Sequence, residues 1–239
     1  MTVVKIESNT YKTIFDDFNE DNVEISIADD ATLDYYSLHN NHADNLKRQL
    51  VVTLGCNSTF RHYNIMFCNG SIENNINVVF EGEGSECELN GCVIASSTQH
   101  IENHTLIDHK VGRCSSNELY KYILDDKAVG VFEGRILVRA DAQKSVSQET
   151  NQNLCLTREC RMFTKPELEI YADDVKCAHG STVGQLNEQA LFYMQQRGIP
   201  LHKAKMLLQQ AFINDVIERI PDEDIKKKLL ADVEQRLHR

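Results

Sequence analysis

From about residue 23 to residue 172 the hydrophobic residues come in short runs between polar stretches. They include VEISI (23–27), LVVTL (50–54), INVVF (76–80), CVIA (92–95), GVFEGRILV (130–138) and NLCLT (153–157). Runs of this length, rich in β-branched residues and recurring roughly every 10–20 residues, predict strands and an all-β region. Proline occurs only at 166, 200 and 221, so the reversals rest on Asn, Asp and Ser. Two features favour a parallel β-helix. Asparagines cluster at 40–41, at 74–75 and at 151 and 153, where stacked coils could ladder their amides, and VFEG occurs at both 79–82 and 131–134. A β-sandwich stays a rival on pattern alone.

Near residue 184 the period changes. NEQALFYMQQRG offers Asn187 as an N-cap and Gly198 as a helix end. Pro200 suits the first turn of a second helix, with Leu201, Ala204, Leu208, Ala211 and Phe212 on one stripe. Pro221 breaks that helix, and acidic residues open a third, in which Ile225, Leu229, Val233 and Leu237 recur at one-turn spacing. The organisation expected is a β core over 1–183 and a helical unit over 184–239. Three such helices bury little alone, so they cap an open β edge or dock a partner.

Charge sharpens the boundary. The net charge is −11, and residues 1–184 carry 16 basic and 28 acidic residues against nine and eight in 185–239. An acidic surface argues against nucleic-acid binding. No apolar run reaches membrane-spanning length and no secretory signal opens the chain, so the expected setting is the cytoplasm with reduced thiols.

None of the eight cysteines forms a C-x-x-C pair. His39 and His42 read as solvated loop residues, and the spacing of His100, His104 and His109 fits neither helix nor strand. Acidic pairs at 29–30, 125–126 and 173–174 would face opposite ways in a strand, which argues against a shared acid–base site. No nucleophile elbow or phosphate loop is present. There remains LEIYADDVKCAHG (168–180), where an extended chain through Val175, Cys177 and His179 puts a thiol and an imidazole on one face. Two ligands are too few for a stable metal or cluster site, so either both are structural or a second subunit completes the site.

PELEIYADDVKCAHGSTVGQL (166–186), VGVFEGRILVRADAQKSVSQETNQNL (129–154), NHTLIDH (103–109), CSSNELYKYILDDKA (114–128) and LNEQALFYMQQRGI (186–199) closely resemble the SufD branch of the SufB/SufD family of the SUF iron–sulfur cluster assembly system. The resemblance implies a right-handed parallel β-helix with a small C-terminal helical domain, and a scaffold rather than an enzyme. It implies a SufB-like partner, or a homodimer in isolation, and a SufC-like ABC ATPase held by the C-terminal helices. Within the family's KC-small-HG motif, His179 takes the role of the interface residue that supports cluster formation, and Cys177 is its weaker neighbour. Iron or a nascent cluster would pass transiently through that interface, with no cofactor held by this chain alone. The usual N-terminal helical region of the branch is not recognisable ahead of the β-helix, which leaves capping of the first coil open. A β-helix carbohydrate-active enzyme is the alternative, and a structural adhesion module is a third reading that the absence of an export signal opposes.

Overall fold

The computed structural model describes residues 1–16, 21–40, 45–67 and 70–237. His42, Asn41 and Cys68 lie outside the described residues. Among the described residues, fourteen strands alternate between two parallel seven-stranded sheets. The odd strands β1 (Thr2–Ile6), β3 (Asn22–Ile27), β5 (Leu46–Leu54), β7 (Ile72–Phe80), β9 (His100–His109), β11 (Val129–Val138) and β13 (Arg161–Ile170) form the first sheet. The even strands β2 (Tyr11–Asp16), β4 (Thr32–Asn40), β6 (Thr59–Phe67), β8 (Glu86–Ala95), β10 (Ser115–Leu124), β12 (Val146–Cys155) and β14 (Lys176–Gly184) form the second. One strand from each sheet makes a coil, and the chain is a parallel β-helix. The sandwich rival is excluded, because its sheets are antiparallel.

Successive coils superpose through the register Thr32, Thr59, Glu86, Ser115, Val146, Lys176. At five stacked corners one residue takes a left-handed conformation: Asp30 (φ 59°), Asn57 (52°), Gly84 (75°), Arg113 (60°) and Lys144 (63°). Asn and Asp tolerate that region best among residues with a side chain, which is why these reversals need no proline. Corner backbones ladder as the strands do, with Asp30 N donating to Cys56 O at 2.8 Å and Asn57 N to Glu83 O at 2.9 Å.

The interior is built from inward-facing alternate positions such as Val23, Ile25 and Ile27 on β3 and Phe132, Ile136 and Val138 on β11. The asparagine expectation holds at one cluster: Asn74 and Asn103 are register neighbours, and Asn74 Nδ2 donates to Asn103 Oδ1 at 3.2 Å, whereas Asn151 and Asn153 have no asparagine beside them in register. The VFEG repeat does not mark the coil. Phe80 stacks in register on His109 and Val138, whereas Phe132 stacks on Asn103, so the two tetrapeptides occupy different phases.

β6 and β10 are buried on both faces because helices cover the second sheet. Tyr36, Tyr63, Ile65, Phe67, Leu119 and Ile123 point outward and pack against Ile213, Val216, Ile217, Leu229 and Val233. The helices are α1 (Glu188–Gln196), α2 (Leu201–Ile217) and α3 (Glu223–Leu237). Asn187 caps α1 by accepting from Ala190 N at 3.0 Å, and Gly198 (φ 84°) follows its end, as expected. Pro200 sits at the N-cap of α2, one residue earlier than expected. The buried stripe of α2 is rotated: Ala204, Ile213, Val216 and Ile217 are buried, while Leu201 and Ala211 are exposed. Lys121 fixes the helix against the sheet, its ammonium donating to Phe212 O at 2.8 Å and pairing with Asp215. The helical unit therefore clasps a sheet face and leaves the terminal strand edge uncovered.

Glycine fits this fold for opposite reasons at two positions. A Cβ on Gly91 would lie 2.1 Å from the buried Tyr120 ring, whereas one on Gly180 in β14 would meet nothing within 4 Å. Gly91→Ala should lower stability by about 1–3 kcal/mol, the usual overpacking cost. Gly180→Ala should change it by less than about 0.5 kcal/mol. Urea midpoints of the two variants check this, and equal midpoints would contradict it.

Candidate functional site

LEIYADDVKCAHG is not one strand: it spans the end of β13, a corner, and the start of β14. Val175 precedes the strand, but Cys177 and His179 do share its inward-facing side. β14 pairs only with β12, so its other edge is free among the described residues. His179 is therefore exposed although its row points toward the interior. Cys177 is half-buried against the interior apolar cluster. Burial raises its thiol above the ordinary value, so near neutral pH it is mainly protonated.

Two rows run inward from this pair. Behind Cys177 stand Ser147 and then Ser116, with Ser116 Oγ and Ser147 Oγ 2.6 Å apart. His109 Nε2 lies 2.9 Å from Ser116 Oγ, its ring stacked on Phe80 at 4.3 Å, and burial lowers its pKa to about 4. Behind His179 stand Glu149 and then Glu118, each only 1% exposed. No oxygen of either carboxylate has a hydrogen-bond partner among the described residues. Burial, with the charge of Glu149 adding to it, pushes Glu118 well above the carboxylate range, and burial raises Glu149 to about 7. These glutamates escaped the sequence reading. The available signal was parity: Glu118 shares the inward phase of Tyr120, Tyr122 and Leu124.

The remaining candidates are structural. His39 is buried in β4, not solvated, because its alternation falls inward. His100 and His104 do fit a strand, since with Glu102 between them they share the outer face of β9. Each Nε2 lies 3.0 Å from a Glu102 oxygen, and His104 Nδ1 lies 3.1 Å from Glu133 Oε2. The acidic pairs sit at corners rather than in strands. There they serve the turns: Asp29 Oδ1 accepts from Cys56 N at 2.7 Å and Asp126 Oδ2 from Ser97 N at 3.0 Å. Among the described residues no three His, Cys, Asp or Glu side chains converge as a metal site. No described helix is long and apolar enough to cross a membrane.

The terminal coil also carries exposed apolar side chains: Phe163 and Ile170 on β13, Tyr171 beside it, and Val183 on β14. A second exposed group, Phe192, Tyr193 and Leu201, lies on α1 and the start of α2, and α1 buries none of its residues.

The chain is similar to known proteins. The sequence profile described as SUF system FeS cluster assembly, SufBD core domain, matches residues 2–212. The iron–sulfur cluster assembly protein SufD of Escherichia coli K12 is 37% identical over 166 residues, covering 70% of this chain and 39% of its own length. An iron–sulfur cluster assembly SufBD family protein of Mycobacterium leprae is 33% identical over 192 residues, 77% of this chain and 49% of that protein. One from Synechocystis is 35% identical over 155 residues, 65% and 34% respectively. The chain belongs to the SufBD core family of the SUF system, and it spans less than half the length of these relatives.

Because the fold favours the protonated form of Glu149, this carboxyl contributes stability below its unfolded value near 4.5 that is lost as pH rises through about 7. Glu149→Gln cannot ionise. In metal-free buffer it should be more stable than the parent near pH 8 by ~2 kcal/mol, with the gap closing toward about pH 4–5. Urea unfolding across this range measures it, and a gap independent of pH would refute the assignment.

Proposed function

We propose that this chain acts as a non-catalytic scaffold subunit of a SUF assembly complex, pairing with a SufB-like subunit and docking a SufC-like ATPase. Iron and sulfide are cargo in this reading, joined at the subunit interface. The observation that carries it is the open edge of β14, with His179 exposed at the second of its inward-facing positions. A free parallel edge offers a row of unpaired backbone groups to another sheet. The exposed Ile170, Tyr171 and Val183 beside it give a partner apolar area to cover. One imidazole and one protonated thiol cannot hold a cluster alone, so the partner supplies the other ligands. His179, exposed, meets iron first, and Cys177 joins once its proton is lost.

The helices suit the ATPase role. α2 and α3 are fastened to the second sheet, while α1 presents Phe192 and Tyr193 outward. Movement imposed on α1 reaches β10 through α2 and the Lys121–Asp215 pair, and β10 is two strands from β14. The carbohydrate-active alternative loses ground because acids on the outer face of the first sheet are already paired: Glu169 with Arg135, Glu167 with Lys165, and Glu133 with His104.

In a reconstituted complex with SufB and SufC subunits, His179→Ala should lower cluster yield at least about tenfold, as loss of a metal-site residue does. Absorption and circular dichroism of the nascent cluster read it, with complex formation verified by gel filtration. Normal yield would return His179 to a structural role. For docking, deletion of 185–239 is a poor test, since it bares Tyr63, Phe67 and Leu119. Phe192→Ser with Tyr193→Ser should weaken ATPase binding by about 2 kcal/mol or more, roughly 30-fold, without loss of helix signal. Calorimetric binding unchanged by this pair of substitutions would sink the docking assignment.

A further inference from the structure

The row behind His179 asks for a ligand. Glu118, Glu149 and His179 occupy successive register positions on β10, β12 and β14. Neighbouring strands stand about 4.8 Å apart, so the three side chains form a ladder from the interior to the open edge. The two carboxylates are buried, and their four oxygens lack hydrogen-bond partners among the described residues. The opposite sheet makes room for them. A Cβ on Gly134 would lie 2.6 Å from Glu149 Cδ, so the carboxyl fills space that any other residue would occupy. In register with Gly134 stands Thr105, 4% exposed, whose hydroxyl lies beside Glu118 yet makes no hydrogen bond of accepted geometry. Thr164 Oγ1, also facing inward from β13, is a further buried hydroxyl without a partner.

Unpartnered carboxylates in an apolar interior are costly, and two adjacent ones repel when both are charged. A divalent cation removes both costs at once. Side-chain oxygens of this kind suit a hard or borderline cation such as Fe²⁺ or Mn²⁺ better than a thiophilic one. No three ligating side chains already converge, so such an ion would complete its shell with the Thr105 hydroxyl and water.

We propose that Glu149 and Glu118, with Thr105, form an inner holding site for a divalent cation that enters past His179 at the open edge. Only the naming of Fe²⁺ as the natural occupant rests on the scaffold reading above; the site itself does not. The chain would then store one cation behind the interface residue rather than only presenting a ligand to a partner.

The experiment uses the full chain with Mn²⁺ as probe, followed by electron paramagnetic resonance, and Fe²⁺ under anaerobic equilibrium dialysis. The parent should bind one equivalent of each. Glu118→Gln and Glu149→Gln, which keep shape and remove charge, should each weaken binding at least about tenfold. Circular dichroism and melting curves verify that both stay folded. His179→Ala should slow loading while leaving equilibrium affinity within about threefold, as expected for a residue at the mouth. Absence of binding by the folded parent, indicating carboxyls that hold protons only, would overturn the proposal. So would binding indifferent to both glutamine variants, or binding abolished by His179→Ala alone. If Mn²⁺ binds as described while His179→Ala leaves cluster yield unchanged in the reconstituted complex, the interface reading fails and the inner site stands.

Discussion

A parallel coil satisfies its backbone only through the coils on either side. Each inward or outward step repeats the same demand, and the last coil has no neighbour to meet it. In this chain the demand falls on β13 and β14. The helical segment that follows could have folded over that edge, yet its apolar stripe matches the outer face of the second sheet instead. There Phe15, Tyr36 and Tyr63 stack in register, and Ile65, Phe67 and Leu119 add apolar area for α2 and α3 to cover. Covering the face stabilises the core, and leaving the edge bare keeps it available for association. The exposed His179 is a consequence of that choice of packing surface.

The same stacking dictates what the interior can hold. Inward positions recur in columns, so one residue's side chain is answered by its register neighbours and by the facing sheet about 10 Å away. Toward the middle the columns are largely apolar or aromatic, and several polar members are matched. Asn103 is the clearest case, accepting from Asn64 and Asn74 and donating to the Tyr122 hydroxyl at 2.7 Å. Toward the open end the columns become Ser116–Ser147, Glu118–Glu149 and Asn151 with Asn153, and matching becomes incomplete. The two glutamates thus stand one and two strands inside the open edge with all four oxygens unmatched among the described residues.

Much of this was legible in the sequence because the signals were local. Short β-branched runs, left-handed Asn and Asp at corners, Asn187 as a cap and Gly198 as a stop each act within a few residues. The parts that were missed depend on register, which no local pattern carries. VFEG looked like a repeat but fell in two phases, and the acidic pairs looked like strand residues but serve corners. His39 reads as polar and proved buried, because only its coil neighbours decide its side. Glu118 and Glu149 lie 31 residues apart, and only stacking makes them adjacent. The family motif located His179, but composition could not show that its row continues inward.

Register also separates the roles of the two motif residues. Cys177 heads a column whose next members are Ser147 and Ser116, and burial there keeps its thiol protonated and packed. His179 heads a column of carboxyls that burial holds toward the protonated form, and its own ring remains in contact with solvent. The two motif residues thus differ in what stands behind them: hydroxyls that bond one another behind Cys177, and carboxyl oxygens without partners among the described residues behind His179.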